Sequence, residues 1–196
     1  MQSISFHENS SETDLVKCAR EGDGDAFLTL VNRFHTRAFH VARQITPDPA
    51  EAEDTLIRAL LTAYTQLDQC GEAGEFYPWL VKLVVHEALR KVSGGSRQEV
   101  PSNEFGIADL AREISPWRGR PQEQLKPQEL SRILEDAMQT LHPRTLAAFV
   151  LADMEGMSVE FAADVLDRPL REVKNSLLRA RLQLSVALSS RLRSWM

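Results

Sequence analysis

Four polar side chains near the C-terminus carry groups suited to nucleic acid: Arg171, Lys174, Asn175 and Arg179. Arg171 and Asn175 stand one helical turn apart and suit purine edges, while Lys174 and Arg179 suit phosphates. A solvated charged face is the plainer reading, and context decides between them. Val173, Leu177, Ala180 and Leu184 have a 4-3-4 spacing that predicts a helix with its opposite face buried. Upstream, Val159, Ala162, Ala163 and Leu166 mark the inner face of a shorter helix. Asp167-Arg168-Pro169 breaks the run, and Pro169 suits the first turn of the next helix. Two helices punctuated this way have the spacing of a helix-turn-helix, whose second helix enters the DNA major groove with its N-terminal residues at the base edges.

A second polar group lies in residues 76–97, where Lys82, Arg90, Lys91 and Arg97 meet one acid, Glu87. That surface can face phosphate even though the surrounding block is acidic. Trp79 and Leu80 fall on an apolar stripe and are expected to pack. Catalysis finds little support. His86-Glu87 lacks the second His of a zinc-protease helix, and His35 and His40 do not share a helical face. Cys18 and Cys70 form no ligand cluster and are expected to be reduced thiols. There is no phosphate loop, so the reading is of a non-enzyme with no catalytic residue, metal or cofactor.

The elements that must position these groups are helical throughout. The chain has 196 residues, 43% hydrophobic and 26% charged, ordinary for a globular protein of one large or two small domains. Periodicity near 3.6 is almost continuous and long strand alternation is missing, which predicts an all-α fold. No apolar run approaches the roughly 18 residues of a membrane span, so no membrane insertion is expected. The polar N-terminus lacks a signal-peptide pattern, so a cytoplasmic location is expected. Net charge is −5, but residues 1–91 hold 9 basic and 14 acidic side chains, while residues 168–196 hold 7 basic and one acidic. A basic tail on an acidic chain is the local footprint of a DNA-facing helix, although cations also suit a solvated helix C-terminus.

Four helices are predicted in residues 12–91. The first carries Leu15, Val16 and Ala19, with Ser11 as its cap. The second buries Phe27, Leu30, Val31, Phe34, Ala38, Val41 and Ile45. The third starts near Ala50 and carries Leu56, Leu60, Ala63, Tyr64 and Leu67. The fourth runs from about Phe76 to Val92, with Trp79, Leu80, Leu83 and Val84 inward. The division is thus residues 1–92, a Gly- and Pro-rich linker over 93–127 with one short helical piece around Ala108–Ile114, and a helical block over 128–196.

In this order the segments resemble the extracytoplasmic-function sigma factors, group IV of the bacterial sigma-70 family, over nearly the whole chain. ETDLVKCAREGDGDAFLTLVNRF resembles the opening helices, and PAEAEDTLIRALLTAY the acidic helix that docks on the polymerase clamp. EFYPWLVKLVVHEALRK resembles the helix that opens and reads the promoter −10 element. LHPRTLAAFVLADMEGMSVEFAADVLDRPLREVKNSLLRARLQL resembles the −35-reading domain through Leu-x-Pro, Glu-Gly-x-Ser and Val-Lys-x-x-Leu-x-Arg-Ala-Arg. The resemblance implies a sigma2-like bundle and a sigma4-like helix-turn-helix joined by a flexible linker. It implies that the chain binds core RNA polymerase, through its beta and beta-prime subunits, and promoter DNA, and that an anti-sigma factor holds it in check. The polymerase-binding positions are then Glu53, Asp54, Ile57 and Arg58; the −10 positions are Phe76, Tyr77, Lys82, His86, Arg90 and Lys91; the −35 positions are Arg171, Lys174, Asn175 and Arg179. Aromatic and polar groups suit the −10 task because an extruded base needs stacking and edge hydrogen bonds.

Several positions depart from the family. Ile57 and Arg58 stand where it usually has Gln-Glu, His86 where it has Asn, Asp167 where it has Gly, and Ser176 where it has Arg. Asp tolerates the left-handed backbone such a turn needs better than most residues. Leu178 and Leu182 put apolar surface on the outward face of the last helix, which suits a protein partner such as the anti-sigma factor. A second reading therefore stays open: a sigma-like decoy that binds an anti-sigma regulator rather than promoter DNA.

Overall fold

A computed structural model of the protein describes residues 10–71, 75–93 and 127–193. The chain forms two compact units, residues 1–94 and 95–196. Every regular element among the described residues is a helix or helical turn, as the periodicity predicts.

In the first unit, α1 spans Glu12–Arg20, and the Ser11 hydroxyl accepts from the Asp14 N–H at its start. Helix α2 spans Gly24–Ile45 behind Asp23, whose carboxylate accepts from the N–H groups of Asp25 and Ala26. Helix α3 spans Pro49–Thr65, with Asp48 accepting from Ala50 and Glu51 and Pro49 in the first turn. Each cap satisfies donors that the helix itself leaves unpaired, typically worth about 1 kcal/mol. A 3-10 turn at Leu67–Gln69 leads toward α4, Phe76–Ser93. Helix α2 packs on α1, α3 and α4, and α3 packs on α4. Leu15, Leu30, Val41, Phe76, Leu80, Val81, Val84 and Val85 fill the core between them.

Two details differ from the periodicity reading. Val31, Phe34, Trp79 and Leu83 are half-buried rather than inside. On α3 the buried stripe is Ala52, Thr55, Ala59 and Ala63, with Leu56 and Leu60 at its margin and Tyr64 exposed. Small side chains let α3 lie close against α2 and α4, so on this helix size, not hydrophobicity, decides which face goes inward.

Two charged side chains of α1 fasten the segment before α4. The Glu12 carboxylate accepts the Phe76 N–H at 3.0 Å, capping α4 from far along the chain. The Arg20 guanidinium donates to the carbonyls of Leu67 at 3.3 Å, of Cys70, and of Gly71 at 3.1 Å. Burial pushes the Cys70 thiol up to about 11, against the opposing pull of Arg20. The fold thus favours the neutral thiol: this contribution is present below the ordinary thiol value and is lost as pH rises through about 11. Because thiolate is the reactive form, iodoacetamide at pH 8 is expected to modify half-buried Cys18 at least about tenfold faster than Cys70 in the native protein, with the two rates converging in urea. Equal native rates, read by peptide mass spectrometry, would contradict this placement of Cys70.

In the second unit, α5 spans Pro127–Met138 and α6 spans Pro143–Phe149, which runs on into a π-helical turn at Val150–Met154. Helix α7 spans Val159–Leu166, and the Ser158 hydroxyl accepts from the Phe161 N–H at its start. Asp167 ends it in the left-handed conformation, φ 49 and ψ 53. In this turn the Arg168 N–H donates to the Ala163 carbonyl at 3.1 Å. Helix α8 spans Leu170–Arg193. Pro169 stands just outside it, its carbonyl accepting from Glu172 at 2.9 Å and Val173 at 3.2 Å. Helix α8 packs on α5, α6 and α7, closing over Met138, Leu146, Val150, Leu151 and Val165. The short helix expected at 108–114 lies outside the described residues.

Candidate nucleic-acid interface

The α7–turn–α8 unit presents its polar face from a fixed base. Val173, Leu177, Ala180 and Leu184 are buried against the other helices, so the rotation of α8 is set. On the opposite side Arg171, Lys174 and Asn175 are exposed within its first two turns. The positive dipole end of the helix lies at that cationic start, which suits phosphate. Arg179 is half-buried on the flank. Leu178 remains 42% exposed, and Leu182 is half-buried. The face therefore changes character along its length, cationic in the N-terminal turns and apolar around Leu178 and Leu182.

Arg181, the last residue of the Val-Lys-x-x-Leu-x-Arg-Ala-Arg motif, has no role assigned by the sequence, yet it makes a paired polar contact within this unit. Its Nε and Nη2 donate to the two oxygens of Asp153 at 2.9 and 2.7 Å. This paired contact ties α8 to the π-helical turn and restrains the helix along its axis. Periodicity gives no sign of the pairing, because Asp153 lies in an irregular turn.

The first unit distributes its expected site residues differently. Phe76 and Tyr77, expected at a base-contact surface, are 0% and 6% exposed. Their burial has a physical cause, since the start of α4 is where aromatic side chains of α2 converge. Phe34 stacks on Tyr77 at 5.4 Å and lies 5.9 Å from Phe76, whose ring meets Phe27 edge-on at 6.3 Å. The Arg37 guanidinium sits 4.2 Å over the Tyr77 ring, covering its outer face. The stacking surfaces are thus spent on packing in this structure. His86 and Arg90 are exposed further along α4, and Lys82 is half-buried. Arg90 donates twice to Glu87, at 3.2 and 2.7 Å.

Lys91 turns toward α3. Its ammonium lies 2.7 Å from Asp54 Oδ2, which also accepts from Arg58 Nε at 3.0 Å. Hydrogen bonds from these two cations, Lys91 first, hold the Asp54 carboxyl below its usual range. On the outer side of α3, Glu53 and Asp54 flank an apolar stripe: Ile57 is 56% exposed, Leu61 62% and Tyr64 58%. Leu61 and Tyr64 extend the expected docking face beyond Ile57. Three large exposed groups thus lie at helical spacing opposite the buried stripe of small side chains, an arrangement that suits contact with another macromolecule.

Among the described residues, no helix is long and apolar enough to cross a membrane, and no group of His, Cys, Asp and Glu is arranged to hold a metal ion.

Comparison with known proteins adds a family. The model for Sigma-70 region 2 matches residues 30–98, and that for Sigma-70, region 4, matches residues 131–184. The chain is 26% identical over 184 residues to the ECF RNA polymerase sigma-E factor of Haemophilus influenzae, covering 89% of this chain and 93% of that protein. It is 25% identical over 181 residues to the protein of the same name from Escherichia coli strain K12, covering 89% and 92%. Its fold is similar to that of CnrH, solved in complex with the cytosolic domain of CnrY, at a TM-score of 0.64 and 23% identity over 92% of this chain and 99% of that one. It is also similar to the sigma factor RpoE, solved with the anti-sigma factor NepR from Bartonella quintana, at 0.61 and 19% identity over 83% and 96%.

Proposed function

The chain belongs to the sigma-70 family as an alternative sigma factor of the extracytoplasmic-function class, and from that premise we propose how its two helical bodies divide the work of directing core RNA polymerase to specific promoters. Helix α3 docks on the polymerase. Ile57 supplies apolar contact, joined by Leu61 and Tyr64, and Glu53, Asp54 and Arg58 set the charge at its rim. Helix α4 faces the opened −10 element with Lys82, His86 and Arg90. Phe76 and Tyr77 serve this surface from beneath, by holding α4 against α2.

The second body holds the −35 element. Helix α8 enters the major groove by its N-terminal turns. Arg171 and Asn175 meet base edges, and Lys174 and Arg179 hold phosphates. The reading fits a factor acting in the compartment where transcription takes place, binding and melting DNA rather than catalysing a reaction. One observation carries it most: Arg171, Lys174 and Asn175 stand exposed on a helix whose opposite face is buried, inside a helix-turn-helix. Transcription in vitro with core enzyme and a library of randomised promoters tests it. Selection of paired −35 and −10 sequences is the expected result, and a complex with an inhibitor but none with core enzyme would replace it with the decoy reading.

An anti-sigma factor is the second partner proposed, with Leu178 and Leu182 as its contacts. The Bartonella quintana protein was solved with a partner of that kind, which supports the class. Replacing both leucines by lysine is expected to weaken inhibitor binding by at least about tenfold, since charges would be buried in an apolar contact. Circular dichroism should be unchanged, because neither side chain belongs to the buried face of α8. Unaltered inhibitor affinity in calorimetry would remove these residues from the interface.

A further inference from the structure

We propose that Asp54 restrains Lys91 in the free protein, withholding that cation from nucleic acid. The inference rests on the reading of α4 as a DNA-facing helix and asks which of its cations is available. Lys91 occupies the last turn of α4, where a phosphate contact was expected, but its ammonium points back to α3. There it meets two acceptors, Asp54 Oδ2 at 2.7 Å and the Glu51 carbonyl at 3.2 Å. The side chain is 22% exposed, against 61% for Arg90 one residue earlier. A phosphate approaching α4 must therefore displace a carboxylate to use Lys91, whose side chain is turned inward, whereas Arg90, although paired with Glu87, keeps its side chain 61% exposed and open to a second partner.

The same carboxylate is shared with Arg58, which stands on the polymerase-facing helix. Any group that engages Asp54 from outside loosens its hold on Lys91, so the two faces of this unit are joined through one side chain. The pair is partly solvated, and such pairs are weak. A weak restraint suits this role, because a partner can break it and the effect on binding is several-fold rather than absolute.

The test uses the full chain and a labelled thymidine oligonucleotide at low ionic strength, with anisotropy read across a salt series. Asp54→Asn is expected to raise affinity about two- to fivefold and to steepen the salt slope by about 0.7, the value for one added cation on a single strand. Lys91→Met alone is expected to leave the slope near that of the parent, and Asp54→Asn combined with Lys91→Met to cancel the gain. Lys91→Gln repeats the measurement if Lys91→Met fails to fold. A lowered slope for Lys91→Met by itself would mean that Lys91 already reaches phosphate and would overturn the restraint. A gain that survives in the double variant would overturn it too, by tracing the effect to loss of a negative charge alone. Arg90→Ala separates the premise from the proposal. If it lowers the slope while Asp54→Asn does nothing, the restraint fails and the DNA-facing reading stands; if neither moves the slope, the DNA-facing reading of α4 fails.

Discussion

Replacing Ile57 and Leu61 together by lysine is expected to abolish assembly with core RNA polymerase while leaving the fold intact. Both side chains are more than half exposed, so their loss empties no core, and surface changes of this kind typically alter stability by about 0.5 kcal/mol or less. In an interface the balance reverses. Each large apolar contact at the centre of a docking surface is worth about 2 kcal/mol or more, and an ammonium brought there must be desolvated without a partner. Two such changes correspond to at least about a thousandfold loss of affinity. Native gel or fluorescence binding to core enzyme reads the result beside a thermal melt. Ala59→Lys is the contrasting variant: Ala59 is fully buried where α3 meets its neighbours, and a long charged side chain there should unfold the unit. Retained polymerase binding by the Ile57→Lys, Leu61→Lys variant would move the docking face off α3.

This prediction depends on a distinction the sequence conceals. Periodicity locates α3 well, because apolar residues recur along it from near Ala50, one residue from the observed start at Pro49. It does not tell which of two apolar stripes faces the core, since leucine and isoleucine outrank alanine on any hydrophobic scale. The alanine stripe goes inward because close helix contact needs small side chains, and the larger residues are left for a partner. Helix α8 was legible for the opposite reason. Its inward residues Val173, Leu177 and Leu184 are also large, so volume and hydrophobicity agree on the face. The left-handed turn at Asp167 was likewise open to a local argument, because helix punctuation and backbone tolerance act within a few residues.

Contacts between distant segments were not legible. The hold of Glu12 on Phe76, the carbonyls gathered by Arg20, and the pairing of Arg181 with Asp153 each join residues whose proximity only the fold creates. The same limit explains Phe76 and Tyr77. Aromatic residues at the start of a DNA-facing helix are chemically able to stack on a base, but Phe34 and Phe27 reach them first. It explains Lys91 as well: a lysine in a cationic segment reads as a phosphate contact until the acid of the neighbouring helix is seen beside it.

Arg171→Ala and Lys174→Ala are expected to damage promoter binding in two different ways, and the contrast tests the orientation of α8. Arg171 has a planar donor fork that can pair with one purine edge, and a good paired contact discriminates against the wrong base by about 1–3 kcal/mol. Its loss should relax preference at one position of the −35 element, with a roughly ten- to hundredfold fall on the best sequence and little change on already mismatched ones. Lys174 offers a point charge. Its loss should weaken binding about equally across sequences and reduce the salt slope by about 1, because one fewer counterion is released from duplex DNA. Holoenzyme binding to a panel of single-base −35 variants at several salt concentrations separates the two patterns. Both residues are exposed in the first turns of α8, and neither touches the buried stripe that fixes the helix, so folding should be unaffected in both variants. If Arg171→Ala instead lowers every sequence alike, that guanidinium lies on the backbone; if both variants bind as the parent does, another face of α8 meets the DNA.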